Sequence, residues 1–497
     1  MEMTAGNNKW WFEISHHLGA VYPFYDVTAP EEFSLDIEFI IHQRRKRGKP
    51  IELDPVGLAC KTCLPYLLGD RTLVKDVCRA PWMAHYVGRG KWEKAELPPH
   101  GHKKPDRGEF LCLIKQALIE EANSYLKGAK SVGILLSGGM DSRVVAGVVR
   151  ELQISAGLPE QVVAITWGQP DSRDVFYASQ IASRFNWEMH NFYLDETYLL
   201  DNIEIAGRMG AEVSPLHLHA IPRVAELAGI DVMIAGSYGD SVGRAEFSGR
   251  HLTSLKPILP RDLDKFGLLR SSFLREVLPE LKKDAFSSPH ISKETSYVRR
   301  REIEQESHYM RSMLQSCMLI IARRRPFYQM FTAPMVFGLM WSLDPRMRNN
   351  EWYWHLLKML PGNLLDIPWA RTGKLYLQRG GAHDDRSSIH HSYGIWLRNQ
   401  LKDLVVERVK SKTIRELGIF NDHGLDNALK AWLKARTKTT NSLDEVLSWL
   451  SSLHVFIERN GIGLKCKHEQ CIVDRLAAIK GRTYAESYIL ARNWMRQ

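Results

Sequence analysis

Several things are scarce in this 497-residue sequence, and each scarcity excludes a class of protein. No apolar run reaches the roughly 18 residues a membrane-spanning helix needs, so a helical membrane protein is not expected. The opening stretch MEMTAGNNKWWFEISHH lacks the basic and apolar regions of a signal peptide. Cysteine numbers only seven, an odd count without framework spacing, which argues against a disulfide scaffold and for a reduced compartment. A cytoplasmic location is therefore expected. Cys60-x-x-Cys63 lies inside the apolar stretch VGLACKTCLPYLL and has no matching second pair, so zinc is not expected there. Internal repeats and low-complexity tracts are also lacking.

What is present is ordinary globular composition, 44% hydrophobic and 25% charged, in a chain long enough for two or three domains. The net charge of +10 includes two basic clusters, RRKRGK at residues 44–49 and RRR at 323–325. Such charge suits nucleic acid or an acidic substrate, but no aromatics interleave the first cluster as a single-strand platform requires. We expect it to be solvated surface.

Residues 131–153, SVGILLSGGMDSRVVAGVVRELQ, organise the rest. The apolar run 132–136 has the length and composition of a buried parallel strand. Ser137-Gly138-Gly139 is a small-residue turn, and Val144, Val145, Val148 and Val149 then repeat at helical spacing. Strand, glycine turn and helix together present backbone N–H groups and a helix N-terminus to an anion. Ser137 and Ser142 add hydroxyl donors. Asp141 repels phosphate, so its natural task beside one is to hold Mg²⁺.

This SGGMDS stretch resembles the pyrophosphate loop of the ATP pyrophosphatase superfamily, whose members cleave ATP between its α and β phosphates. Further strands are expected at 161–168 (QVVAITWG), 190–194 and 231–235 (DVMIA), with helices at 108–126 and 174–185 between or before them. That alternation predicts an α/β fold, a parallel sheet flanked by helices, with a mostly helical C-terminal part and a small N-terminal region. Ligands in such sheets sit beyond the carboxyl ends of the strands. Residues 53–86 are expected to form one or two short helices around the turn Gly69-Asp70-Arg71-Thr72, 96–107 a linker, and 302–321 one long helix. His217 and His219 fall two apart in a helix expected over 214–229, so they point to different faces and no shared metal is expected.

The chain resembles asparagine synthetases from about Leu53 to Asn460. The frame WGQPDSRDV matches their adenine-pocket segment, which implies that Trp167 stacks on adenine. GSYGD at 236–240 stands where that family carries a second nucleotide motif, implying that Gly236 contacts ATP and that Asp240 joins Asp141 on Mg²⁺. The resemblance thus implies ATP binding by Leu135, Ser137, Gly138, Gly139, Asp141, Ser142, Trp167 and Gly236, and catalysis by Asp141, Asp240 and a lysine, for which Lys374 and Arg371 are the candidates. The departures are specific. Ser237 replaces a family glutamate, Ser241 another, and Gln329 an aspartate. Related β-lactam synthetases use a tyrosine at the position of Ser237, which makes the adjacent Tyr238 a candidate acid–base group.

Family members hydrolyse glutamine with an N-terminal cysteine, but here residue 2 is Glu2 and the first cysteine is Cys60. Residues 1–100 are therefore expected to be a degenerate remnant of a glutaminase-like domain, 108–460 the synthetase domain and 461–497 a helical extension. The implied chemistry is adenylation of a small-molecule or peptide carboxylate, then attack by an amine or by ammonia, which a separate glutaminase subunit could supply. Three other readings stay open: an intramolecular amide-forming cyclase; a tRNA-modifying enzyme, although nucleic acid is the less expected partner; and a catalytically dead binding protein, which the missing glutamates suggest.

Overall fold

The computed structural model describes residues 21–244, 257–286, 288–376, 384–465 and 468–495. Its centre is a five-stranded parallel sheet in the order β10-β9-β6-β7-β8. The strands are β6 (Ser131–Leu135), β7 (Gln161–Gly168), β8 (Glu188–Tyr193), β9 (Val232–Ala235) and β10 (Phe327–Gln329). All five residues of β6 and all four of β9 are buried, because helices cover both faces of the sheet. Leu135 pairs with Ile165 and Ile134 with Ile234, so this register brings Ser137, Trp167 and Gly236 out at one edge. From β6 the chain moves outward one way through β7 and β8, then returns to the other side for β9. The switch point, where a crevice opens in sheets of this type, lies between β6 and β9.

The expected helices occur at Arg107–Leu126, Met140–Ala156 and Arg173–Phe185. The N-terminal region is a small sheet of β1 (Phe24–Asp26), β2 (Ala29–Ser34) and β3 (Val77–Arg79) beside a hairpin of β4 (Ala84–Gly88) and β5 (Lys91–Lys94). Only Pro55–Cys63 is helical within 53–86, capped by the Asp54 carboxylate, which accepts from the Gly57 N–H. That is one of the one or two helices expected, and Gly69 has the positive φ of a turn; no second helix follows because the chain enters β3 and β4, with Asp76 and Met83 at positive φ.

The solvated expectation for 44–49 holds for Arg45, Lys46 and Lys49, which are exposed, and fails at Arg44 and Arg47. Arg44 is 2% exposed and donates to Asp26 at 2.7 Å and Asp76 at 2.9 Å, while Arg47 joins the same Asp26. Arg325 in the second cluster donates to the carbonyls of Ile230, Ala225 and Leu227, and Arg323 pairs with Asp36. These cations hold the fold together.

The helix expected at 302–321 is three segments: Tyr297–Glu304, a π-helical stretch Gln305–Leu314, and Gln315–Ala322. Wider turns of this kind re-aim side chains and occur often at functional sites. The helix expected at 214–229 is broken at His219, whose φ of +47° ends Pro215–Leu218 before Ile221–Ala225 begins. In the C-terminal part, Arg398 Nη1 binds both oxygens of Asp444 at 2.6 and 2.7 Å, and Trp432 Nε1 donates to one of them at 2.7 Å. Asp444 is fully buried, so loss of Arg398 would leave an uncompensated charge and cost about 3–5 kcal/mol. The Ser442–Asn460 helix held by this network donates from Trp449 Nε1 to the Ala211 carbonyl at 2.8 Å, fixing the chain that leads to His219. No helix among the described residues is long and apolar enough to cross a membrane.

Candidate active site

The crevice at the switch point is a cavity of about 560 Å³. Its wall includes Leu135, Ser137, Gly139, Asp141, Ser142, Trp167, Gly236 and Asp240, so eight of the expected residues converge there. The helix Met140–Ala156 begins with no side-chain cap, which leaves its first N–H groups directed at whatever occupies the loop. The loop is braced from within: the Ser137 N–H donates to Ser142 Oγ and the Gly139 N–H to Ser137 Oγ, both at 3.1 Å. Gly138 lies beneath the wall. A Cβ there would sit 2.7 Å from that of Ala370, and the Ala370 N–H donates to the Gly138 carbonyl at 3.2 Å. Arg143, fully buried, ties the same parts together through donors to Gly138, Leu364 and Ile367 carbonyls at 3.0, 2.9 and 2.6 Å.

Two partners of the loop are not apparent from sequence. The Gly138 N–H donates to Asp174 Oδ1 at 3.2 Å, so a carboxylate occupies part of the anion-binding loop. Arg244 donates from Nε and Nη2 to the two oxygens of Asp141 at 3.1 and 2.7 Å, and from Nη1 to Asn350 at 3.2 Å. Its guanidinium also lies over the rings of Tyr353 and Trp369. Asp240 is the second residue of a short π-helical turn, Gly239–Gly243, that leads to Arg244. Burial, together with the neighbouring charge of Asp141, pushes the Asp240 carboxyl up to about 6, against the pull of Arg244 and Arg371.

These residues fit a hard divalent cation. Asp240 has no ion pair among the described residues, and Asp141 keeps lone pairs beyond the two that Arg244 engages. An ion there would relieve the crowding of like charge that raises Asp240.

Two expected catalytic residues fall elsewhere. Tyr238 is 1% exposed in the apolar core, its hydroxyl has no hydrogen-bond partner, and burial drives its pKa well above the usual phenol value. It cannot act as an acid–base group toward the cavity. Lys374 sits in the turn that starts at Trp369 and does not line the cavity. Its carbonyl accepts from the Trp369 N–H at 2.8 Å. Of the two candidate cations in this turn, Arg371 is the one whose charge, with that of Arg244, reaches Asp240. The Ser237 N–H donates to Gln329 Oε1 at 3.1 Å, so the two substituted positions hold each other at the ends of β9 and β10.

Trp167 faces His219, with ring centroids 6.1 Å apart and planes 20° from parallel. The far wall is apolar, with Met313, Leu314, Cys317 and Met318 beside Tyr309. The buried Cys317 thiol is pushed up to about 12, as are those of Cys60 and Cys78, so none of the three is a ready nucleophile near neutral pH.

A comparison with curated proteins gives no match. A comparison with solved structures matches, among others, the U34-tRNA thiolase NcsA from Methanococcus maripaludis with its 4Fe–4S cluster, at 17% identity and a TM-score of 0.23, covering 46% of this chain and 84% of that one. Another is NMN synthetase from Francisella tularensis, at 16% identity and a TM-score of 0.20, covering 44% of this chain and 94% of that one. Residues 113–366 match the asparagine synthase family, a span that takes in the loop, the sheet, both carboxylates and the π-helical wall. With just over half of its length matched and the nucleotide crevice inside that span, this chain belongs to the asparagine synthase family and is an ATP-dependent enzyme of the ligase type.

Proposed function

We propose that the chain activates a carboxylate as its acyl-adenylate and passes the acyl group to ammonia or an amine, forming an amide, AMP and pyrophosphate. The observation that carries this is Asp141 and Asp240 beside each other at the carboxyl ends of β6 and β9, across one cavity from an apolar wall. A carboxylate oxygen attacks the α-phosphorus, and the bond to the bridging oxygen breaks as pyrophosphate departs. The amine nitrogen then attacks the acyl carbon, and the carbon–oxygen bond to AMP breaks.

The first-turn amides and the hydroxyls of Ser137 and Ser142 receive phosphate oxygens, and Trp167 offers a flat surface for adenine. Asp240 and Asp141 would hold Mg²⁺, which offsets charge on the phosphates. Arg244 fixes the orientation of Asp141, and Arg371 adds positive charge near Asp240. Binding both reactants in one cavity supplies much of the rate. The acceptor's body packs on Met313, Leu314 and Met318.

ATP–pyrophosphate exchange over a panel of amino acids, uronic acids and other carboxylates tests the proposal. Exchange dependent on one carboxylate class supports it, and ADP with phosphate as products would overturn it. Product mass then separates amidation from ring closure, since the latter only loses water.

A further inference from the structure

Beside Trp167, three imidazoles converge. His219, His390 and His391 each offer one ring nitrogen, and the three nitrogens lie within 4.8 Å of one another. His219 and His390 line the nucleotide cavity, with Asp141 and Ser137 elsewhere on the same wall. Nothing in the sequence pairs these residues, because His219 lies at a broken helix and the other two follow 171 and 172 residues later.

The cluster is built rather than incidental. His219 adopts a left-handed φ of +47° that a residue with a side chain rarely takes, and Asn202 Nδ2 holds its carbonyl at 2.9 Å. The Tyr393 hydroxyl meets His219 Nδ1 at 3.1 Å, which leaves Nε2 as the free nitrogen of that ring. His391 stacks on Tyr393 with centroids 4.1 Å apart and planes 12° from parallel. The carbonyl of His390 accepts from the Gln169 N–H at 2.9 Å, tying it to the end of β7. His391 Nδ1 is buried without a hydrogen-bond partner, a costly arrangement for a nitrogen that serves nothing.

Charge agrees with geometry. Burial lowers the pKa of all three rings, so each carries a free lone pair near neutral pH. The groups that face them are Asp174 toward His390, and Glu445 toward His391 and His217, whose own Nε2 is bonded to Glu445 at 2.9 Å. Three neutral donors with carboxylates just behind them suit a cation better than an anion.

We infer that His219, His390 and His391 form a three-nitrogen site for a divalent cation of the zinc class, with its fourth position open to the nucleotide cavity. Imidazole nitrogens suit zinc and its neighbours, whereas magnesium prefers oxygen, so this site is chemically distinct from Asp141 and Asp240. Tetrahedral zinc at about 2.0–2.1 Å from each nitrogen requires nitrogens roughly 3.4 Å apart, so no pair of ring nitrogens has to close by more than about 1.4 Å when the ion enters. Three protein ligands and an open fourth position are the pattern of sites that bind and polarise a substrate group. That position takes a carboxylate or amine donor of the acceptor.

The test uses the metal alone, without ATP, so it can fail or succeed independently of the ligase proposal. Full-length protein, stripped with a chelator and freed of it, is titrated with Co²⁺ while visible absorption is followed. One ion per chain, the intense bands of a low-coordinate nitrogen site and displacement by Zn²⁺ are expected. His219→Ala, His390→Ala and His391→Ala should each weaken binding at least a hundredfold, while Asp141→Asn leaves it within twofold. If an alanine variant does not fold, His391→Gln with an unchanged melting profile takes its place. Folded wild-type protein without such bands overturns the inference. So do bands that persist when both His390 and His391 are replaced, or that vanish in Asp141→Asn.

Discussion

Gly239 and Asp141 touch so closely that a Cβ on Gly239 would lie 2.5 Å from both the Cβ and Oδ1 of Asp141. The glycine is what allows the turn after β9 to close on the start of the loop helix, bringing Asp240 beside Asp141. Gly239→Ala must therefore push one carboxylate away from the other. Overpacking of this kind costs about 1–3 kcal/mol of stability. Because a displacement of about 1 Å at reacting groups can cost about a hundredfold, pyrophosphate release should fall by that much while the circular dichroism spectrum is retained. Near-normal turnover would mean that the two carboxylates need not be adjacent.

The two aspartates should behave as one unit. Asp141→Asn and Asp240→Asn should each lower turnover by about 10²–10³-fold, and the double variant little further, since groups serving one ion are strongly non-additive. Ionised Asp240 is the form that binds a cation. Its carboxyl is raised to about 6, so activity should be complete above that pH and fall about tenfold per unit below it. The acid limb should disappear from the residual activity of Asp240→Asn. Turnover at saturating Mg²⁺ checks the non-additivity, and a pH–rate profile at sub-saturating Mg²⁺, where ion and proton compete for Asp240, checks the acid limb.

The parallel strands and the loop were legible because a strand buried on both faces is a continuous apolar run, and a glycine turn followed by helical spacing is a local pattern. The partners of that loop were not legible. Arg244, Asp174 and Tyr353 come from separate segments, and their charge or ring says nothing about which residue they will meet. Tyr238 faces the core and not the cavity because a one-residue step along a turn reverses inside and outside, and only the packing of the π-helical turn decides which. The pattern of 214–229 puts His219 in a helix that its own backbone angle interrupts. In 44–49, composition suggested a solvated run, whereas the buried carboxylate of Asp26 in β1 draws Arg44 inward.

Cysteine chemistry gives a third expectation. Burial pushes the Cys60 thiol up to about 12, so it should neither hydrolyse glutamine nor react readily with alkylating agents. Purified protein given glutamine should release no glutamate above a no-enzyme control. Brief iodoacetamide treatment followed by peptide mass mapping should label the exposed Cys112 and Cys471 before Cys60 and Cys317. Rapid labelling of Cys60 would contradict the burial.

Acid stability should report His308. Its Nδ1 accepts from the Gly69 N–H at 3.1 Å and its Nε2 donates to the Ala285 carbonyl at 3.2 Å, an arrangement only the neutral ring can make. Burial depresses its pKa from 6.5 to about 4. Between those values the unfolded chain binds the extra proton, so stability is complete above pH 6.5 and is lost as pH falls toward 4. The loss should be on the order of 2–3 kcal/mol. Glu302, held down to about 2 beside Arg348 and His100, adds a second loss between pH 4.5 and 2. Urea unfolding of wild type and His308→Gln from pH 7 to 4 should show the first dependence only in wild type.

Asp174 sets up the last prediction. Its Oδ1 takes the Gly138 N–H at 3.2 Å, in the loop where phosphate oxygens are to bind. Carboxylate and phosphate repel. Two unit charges about 5 Å apart interact by about 1–3 kcal/mol at effective dielectric constants between those of water and a protein surface. Either Asp174 swings away when nucleotide enters, or its charge opposes binding throughout. In both cases its removal favours the bound state: Asp174→Ala frees the Gly138 amide and removes the negative charge. ATP, or a non-hydrolysable analogue measured by calorimetry without divalent cations, should bind about 3- to 30-fold more tightly to Asp174→Ala. Asp174→Asn keeps an oxygen acceptor for Gly138 and should gain less, which separates charge from occupancy of the amide. Salt should narrow the gap between wild type and both variants, because a half-buried repulsion is partly screened. Weaker binding to Asp174→Ala would give Asp174 the opposite role, that of a residue holding the loop open in the shape the nucleotide needs.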